Sequence, residues 1–74
     1  MHTSETLCYI KLNGKRDDLE IYLEQRKGCE DSCIRWYGIN DNTHKAEICI
    51  EGYRNDLVRE LEKIGISREE IELC

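Results

Sequence analysis

Five cysteines and two histidines are the side chains of this 74-residue sequence most suited to hold a zinc ion or, as thiolates, to attack a substrate. Cys29 and Cys33 stand four apart in "KGCEDSC". Two thiolates on a loop supply half of a structural zinc site. The remaining ligands would have to come from His2, His44, Cys8 or Cys74, and no spacing demands any of them. An odd number of cysteines at irregular spacing also argues against an extracellular disulfide framework. Cys49 lies between Glu47 and Glu51 in an alternating run, and two carboxylates beside a thiol disfavour its thiolate. Neither histidine has a Ser, Cys or carboxylate at a suggestive position, and neither a phosphate-binding loop nor a dinucleotide fingerprint occurs. The expectation is a protein without enzymatic activity, cofactor or metal.

The elements that must position these residues follow from periodicity. Residues 6–12, "TLCYIKL", alternate, with Cys8, Ile10 and Leu12 on one side and Leu7, Tyr9 and Lys11 on the other. Residues 15–27 read as a helix or as a strand. A strand joined by the Asn13-Gly14 turn would set Leu12 opposite Lys15 and Ile10 opposite Asp17, apolar against charged. A helix puts Leu19, Tyr22 and Leu23 on one face, acids in its first turn and Gly28 at its stop, and is the expected form. Residues 32–51 read as a hairpin around "NDNTH". In its first arm, Ile34 and Trp36 are expected on one face and Cys33, Arg35 and Tyr37 on the other. In its second arm, Ala46, Ile48 and Ile50 point inward. Asn55 or Asp56 can cap a second helix whose apolar stripe is Leu57, Val58, Leu61 and Ile64, and Gly65 fits its end. Ile71 and Leu73 begin a last strand.

The order βαββαβ predicts an α+β fold, a split β-α-β (ferredoxin-like) plait: a four-stranded antiparallel sheet with two helices on one face. One domain spans residues 1–74, with 1–5 expected to lack structure. With no Phe in the chain, Trp36 is expected to fill much of a modest core.

The net charge of −5 disfavours free nucleic acid, because phosphate binding needs a basic face. The absence of a long apolar run excludes a membrane span and a recognisable export signal, so a cytoplasmic location is expected.

Residues 48–73 resemble the closing unit of the translation initiation factor 1 family. Ile48, Ile50, Glu51, Gly52, Arg54, Val58, Leu61, Gly65, Ile66, Ile71, Glu72 and Leu73 follow its outline of strand, glycine, nearby arginine, amphipathic helix, glycine and strand. The resemblance implies a ribosome-associated factor with Lys15, Arg16 and Arg54 as the nearest equivalents of RNA-contacting residues. Glu51 and Tyr53 stand where that family has Gln and Asp. The framework also resembles acylphosphatase, with Asn40, Ala46 and Gly52 at its Asn–Val–Gly spacing. Its phosphate-holding loop has no counterpart in "NGKRDDLEIYLEQ", so that catalysis is not implied.

The first functional expectation is a small binding or regulatory module. It would meet a protein partner, or a second copy of itself, through the open sheet face around Tyr9, Arg35 and Tyr37, since Tyr is favoured at interfaces. The ribosome-associated factor is one alternative. Another is an acidic inhibitor that uses its glutamates to occupy a nucleic-acid site of another protein.

Overall fold

The computed structural model describes residues 5–14 and 16–73. Its elements are β1 (Glu5–Lys11), α1 (Asp17–Arg26), β2 (Ile34–Asn40), β3 (Lys45–Glu51), α2 (Arg54–Leu61) and β4 (Ile71–Leu73). The strands form one sheet in the order β2-β3-β1-β4, and every neighbouring pair is antiparallel. Lys15 and residues 1–4 lie outside the described residues, and Glu5 is already part of β1.

Within segment 15–27, Asp17–Arg26 is a helix, for the reason its pattern gave. Leu19 and Leu23, one helical turn apart, are completely buried, while Asp17, Asp18 and Glu20 stand in the first turn where the helix dipole favours acids. In α2, Leu57, Val58 and Leu61 face inward. The capping differs from expectation. Tyr53 occupies the cap position, and Asp56 works from inside the first turn, where its Oδ2 accepts the Tyr53 N–H at 3.0 Å. The helix tightens into a 3-10 turn at Glu62–Ile64 and stops at Gly65, whose φ of 80° is the left-handed geometry a glycine adopts without a Cβ clash.

The core is the inner sheet face closed by both helices. Strand period places Cys8 and Ile10 of β1 and Ala46, Ile48 and Ile50 of β3 on that face, each essentially inaccessible to water. Ile34 and Ile71 extend it to the outer strands. Each fully buried aliphatic side chain of this kind stabilises the fold by about 1.5–3 kcal/mol.

Strand β2 departs from its expected alternation. Ile34 pairs with Ile50, but Trp36 pairs with Cys49, so a β-bulge at Arg35 inserts one extra residue. Beyond it every side chain changes face. Tyr37 and Ile39 now oppose Ile48 and Ala46 and pack against the core, while Trp36 and Gly38 turn outward. Trp36 therefore does not fill the core; it is 54% exposed on the opposite face. The aliphatic side chains of both helices and the inner sheet face close the core without it. At the other edge, Leu73 is 57% exposed, because β4 is only three residues long and stops at the rim of the sheet.

Candidate functional site

The outer face of the sheet has no helix over it, and its side chains fall into rows set by strand register. Glu5 of β1 opposes Glu51 of β3. The next row runs Leu7, Cys49, Trp36 across β1, β3 and β2. The third runs Glu72, Tyr9, Glu47, Gly38 across all four strands. The last runs Lys11, Lys45, Asn40. The centre of the face is thus an apolar row beside a tyrosine flanked by Glu72 and Glu47, with Glu5 and Glu51 at one end and Lys11 and Lys45 at the other.

The indole of Trp36 leans along its own strand and covers Gly38. A Cβ built on Gly38 would lie 2.9 Å from the six-membered ring of that indole. Glycine at 38 is what allows the ring to lie down on the backbone, and its outer surface stays in water. Leu7 is 43% exposed in the same row. The Lys45 ammonium sits 4.1 Å from the Tyr9 ring centroid, a cation–π contact that holds the tyrosine against the sheet.

Of the three residues expected on this face, the structure places only Tyr9 there as anticipated. Arg35, at the bulge, turns to the margin and is spent on the protein itself. Its Nη1 donates to the Cys29 carbonyl at 3.0 Å and its Nη2 to the Ser32 carbonyl at 2.5 Å. Its Nε lies 2.9 Å from Glu51 Oε2 as an ion pair without good hydrogen-bond alignment. Tyr37 is a correction: the bulge turns it to the helix side, where its hydroxyl donates to Glu24 Oε2 of α1 at 2.6 Å. That bond to a carboxylate, with some burial, pushes the Tyr37 hydroxyl up to about 12. Trp36 and Leu7 carry the apolar centre instead. Periodicity had put Leu7 outward. No period in the sequence placed Trp36 there, because pairing with β3 sets the position of the bulge.

Behind the sheet a second polar cluster forms around Glu60, which is only 8% exposed. Ser32 Oγ donates to its Oε1 at 2.6 Å and Arg26 Nε to the same oxygen at 2.9 Å. The Cys33 thiol donates to Oε2 at 3.3 Å, and the Tyr22 hydroxyl donates to the Glu60 carbonyl at 3.3 Å. Burial pushes the Glu60 carboxyl up, but the bonds from Ser32, Arg26 and Cys33 outweigh it and hold the group below its ordinary value of 4.5. Burial, with the Glu60 carboxylate beside it, pushes the Cys33 thiol up to about 12. Cys33 is therefore a protonated donor and a poor nucleophile. Cys29 donates its thiol to the Gln25 carbonyl at 3.2 Å. Among the described residues no three His, Cys, Asp or Glu side chains gather as a metal site. The Glu60 cluster ties the 27–33 loop and α1 to α2. Glu60 falls next to the apolar stripe of α2, yet nothing in its spacing marked it as buried.

Two of the three residues singled out by the ribosomal resemblance are described. Arg16 makes a two-pronged pair with Asp18, Nε to Oδ1 and Nη2 to Oδ2, both at 3.0 Å. Arg54 donates from Nε and Nη2 to the Ile71 carbonyl at 2.9 and 2.7 Å, and from Nη2 to the Arg68 carbonyl at 2.9 Å. Its guanidinium fastens β4 to the start of α2. Lys15 lies outside the described residues.

No family model, no curated protein and no solved structure matches this chain.

Proposed function

We propose that this chain is a non-enzymatic binding module that docks on a protein partner, or on a second copy of itself, through the outer face of its sheet. The observation that supports this best is the row Leu7–Cys49–Trp36. A half-exposed leucine and a half-exposed indole stand in one row on either side of Cys49, on strands that present them to water. Tryptophan and tyrosine dominate the energetics of protein interfaces, and an apolar strip on an otherwise charged small protein marks a contact surface. The strand order and helix placement fit a split β-α-β (ferredoxin-like) plait, in which the face away from the helices is free to bind.

The test is differential capture. Wild type and Trp36→Glu are used as baits in an extract of the cell that makes the protein, and each captured protein is then purified and rebound. The reading requires a partner held by wild type, lost with Trp36→Glu, and bound again in purified form. Equal capture by the two baits contradicts it. The reading of a ribosome-associated factor ranks second, since Arg54 and Arg16 already have partners within the chain. Salt-sensitive sedimentation with small ribosomal subunits would place it first. The reading of an acidic inhibitor rests on the glutamates alone.

A further inference from the structure

We infer that the occupant of the outer face is a second copy of this chain, packed face to face with its strands antiparallel to the first. The inference rests on the docking reading above and adds the partner. It comes from the order of charge along the face. Acid stands at one end, Glu5 beside the Arg35-paired Glu51, and base at the other, Lys11 and Lys45, with the apolar row and the row of Glu72, Tyr9 and Glu47 between. Two such faces can meet about a two-fold axis in two ways. An axis along the strands lays each row on itself, lysine on lysine and glutamate on glutamate. An axis across the strands reverses them. Glu5 then faces Lys11 of the second copy, Glu51 faces its Lys45, and each contact occurs twice. The same operation sets Leu7 over Tyr9 of the second copy and brings the two indoles together near the axis, because each Trp36 ring leans from its own row over Gly38. Like charge excludes the first arrangement and complementarity selects the second.

Charge also explains why this face, and not another, can meet its own copy. The chain carries −5, so two copies repel over most of their surfaces. On the outer face Glu5, Glu47 and Glu72 stand against Lys11 and Lys45, and Glu51 is paired with Arg35 at the margin, so the face holds only about one of those negative charges. The area sets the strength. Three strands about 23 Å long and the three-residue β4, about 10 Å long, all about 4.8 Å apart, give a face of about 380 Å². Two such faces bury about 760 Å², well below the range of permanent interfaces, so the pair is weak and reversible. Glu47 is the one central group without a complement, facing Cys49 of the second copy, and it weakens the contact further.

Sedimentation equilibrium of the full chain, from about 10 µM to about 1 mM, tests the inference. Wild type is expected to pass from monomer to dimer across that range. Lys11 and Glu5 are exposed, so reversing either leaves the fold intact. Lys11→Glu places a carboxylate against Glu5 of the second copy twice over and should weaken the dimer at least about tenfold. Glu5→Lys should do the same. An equal mixture of the two variants should regain roughly half of the lost association, as should the double variant in one chain. Glu47→Gln should tighten the dimer several-fold. A folded wild type that stays monomeric to the top of the range overturns the inference. So does a dimer indifferent to Lys11→Glu and Glu5→Lys. A monomer whose Trp36-dependent capture of another protein persists overturns only the second copy; loss of both overturns the docking reading as well.

Discussion

The two faces of one sheet use the same alternating strands for opposite ends. The inner face buries Cys8, Ile10, Ala46, Ile48 and Ile50 completely, and helices cover all of them. The outer face, one residue out of step, leaves Leu7 and Trp36 about half in water. In a chain this small, the aliphatic side supplies the folding free energy, and the largest side chain in the sequence contributes little of it. The difference teaches that volume alone does not send a residue inward. The bulge at Arg35 decides the face, and it moves the tryptophan to where it can contact something else.

The contrast breaks most visibly in the core. Ile48→Ala should cost about 2–5 kcal/mol, enough to unfold most of a marginal domain, as read by urea denaturation followed by circular dichroism. Leu61→Ala should behave alike. A loss below about 1 kcal/mol at either site would show that the inner face does not carry the fold.

Next in size is the Glu60 cluster, the one place where the helix side is polar. Glu60→Ala strands the Ser32 hydroxyl, the Arg26 guanidinium and the Cys33 thiol and should cost about 2–3 kcal/mol. Glu60→Gln keeps an acceptor for Ser32 and should cost less. The same group sets the acid side of the stability curve. Its folded pKa lies below its ordinary value of 4.5, so its contribution is complete above that value and lost as pH falls through the folded pKa. Cys33 acts at the other end. Its folded pKa is raised from 9.0 to about 12, so its contribution holds below pH 9 and fades as pH rises toward 12. Denaturation midpoints across pH should fall on both sides for wild type, and the acid fall should be smaller in Glu60→Gln.

The two cysteines offer a chemical comparison of the faces. Cys33 is half-buried and donates its proton to Glu60, whereas Cys49 lies on the uncovered side. At pH 8, iodoacetamide should label Cys33 far more slowly than Cys49, with rates read by peptide mass spectrometry. Equal rates would remove the Cys33–Glu60 bond from the account.

The smallest effect on stability should come from Trp36→Ala. The indole is mainly solvated, so its removal should cost less than about 1 kcal/mol while abolishing association through the outer face. A large loss of stability would make Trp36 a structural residue.

Much of the fold was legible in the sequence. Leu19 and Leu23 identified α1 because only a helix brings positions 19 and 23 together without opposing Ile10 to Asp17. The alternation at Ala46, Ile48 and Ile50 gave the inner face of β3, and Gly65 gave the end of the second helix. The face assignment within β2 was not legible. "CIRWYGI" is apolar or amphipathic at nearly every position, so no period marks where the extra residue sits, and tertiary pairing with β3 settles it. Hence Tyr37 exchanged places with Trp36, and Arg35 became a clamp on the loop before it. The burial of Glu60 was equally hidden, because its donors come from residues 26, 32 and 33, far away in the chain.

The central claim is that the outer face meets a second copy while the inner face makes the fold. It is tested most directly by the nitrogen–proton correlation spectrum of the protein, recorded from millimolar concentration down through serial dilution. Trp36 is the only tryptophan, so its indole N–H gives a single resonance. The account predicts that this resonance moves on dilution together with the amides of Leu7, Tyr9, Lys11, Glu47 and Cys49, while those of α1 and α2 stay in place. Resonances that are fixed throughout, or shifts confined to the helices, would contradict it.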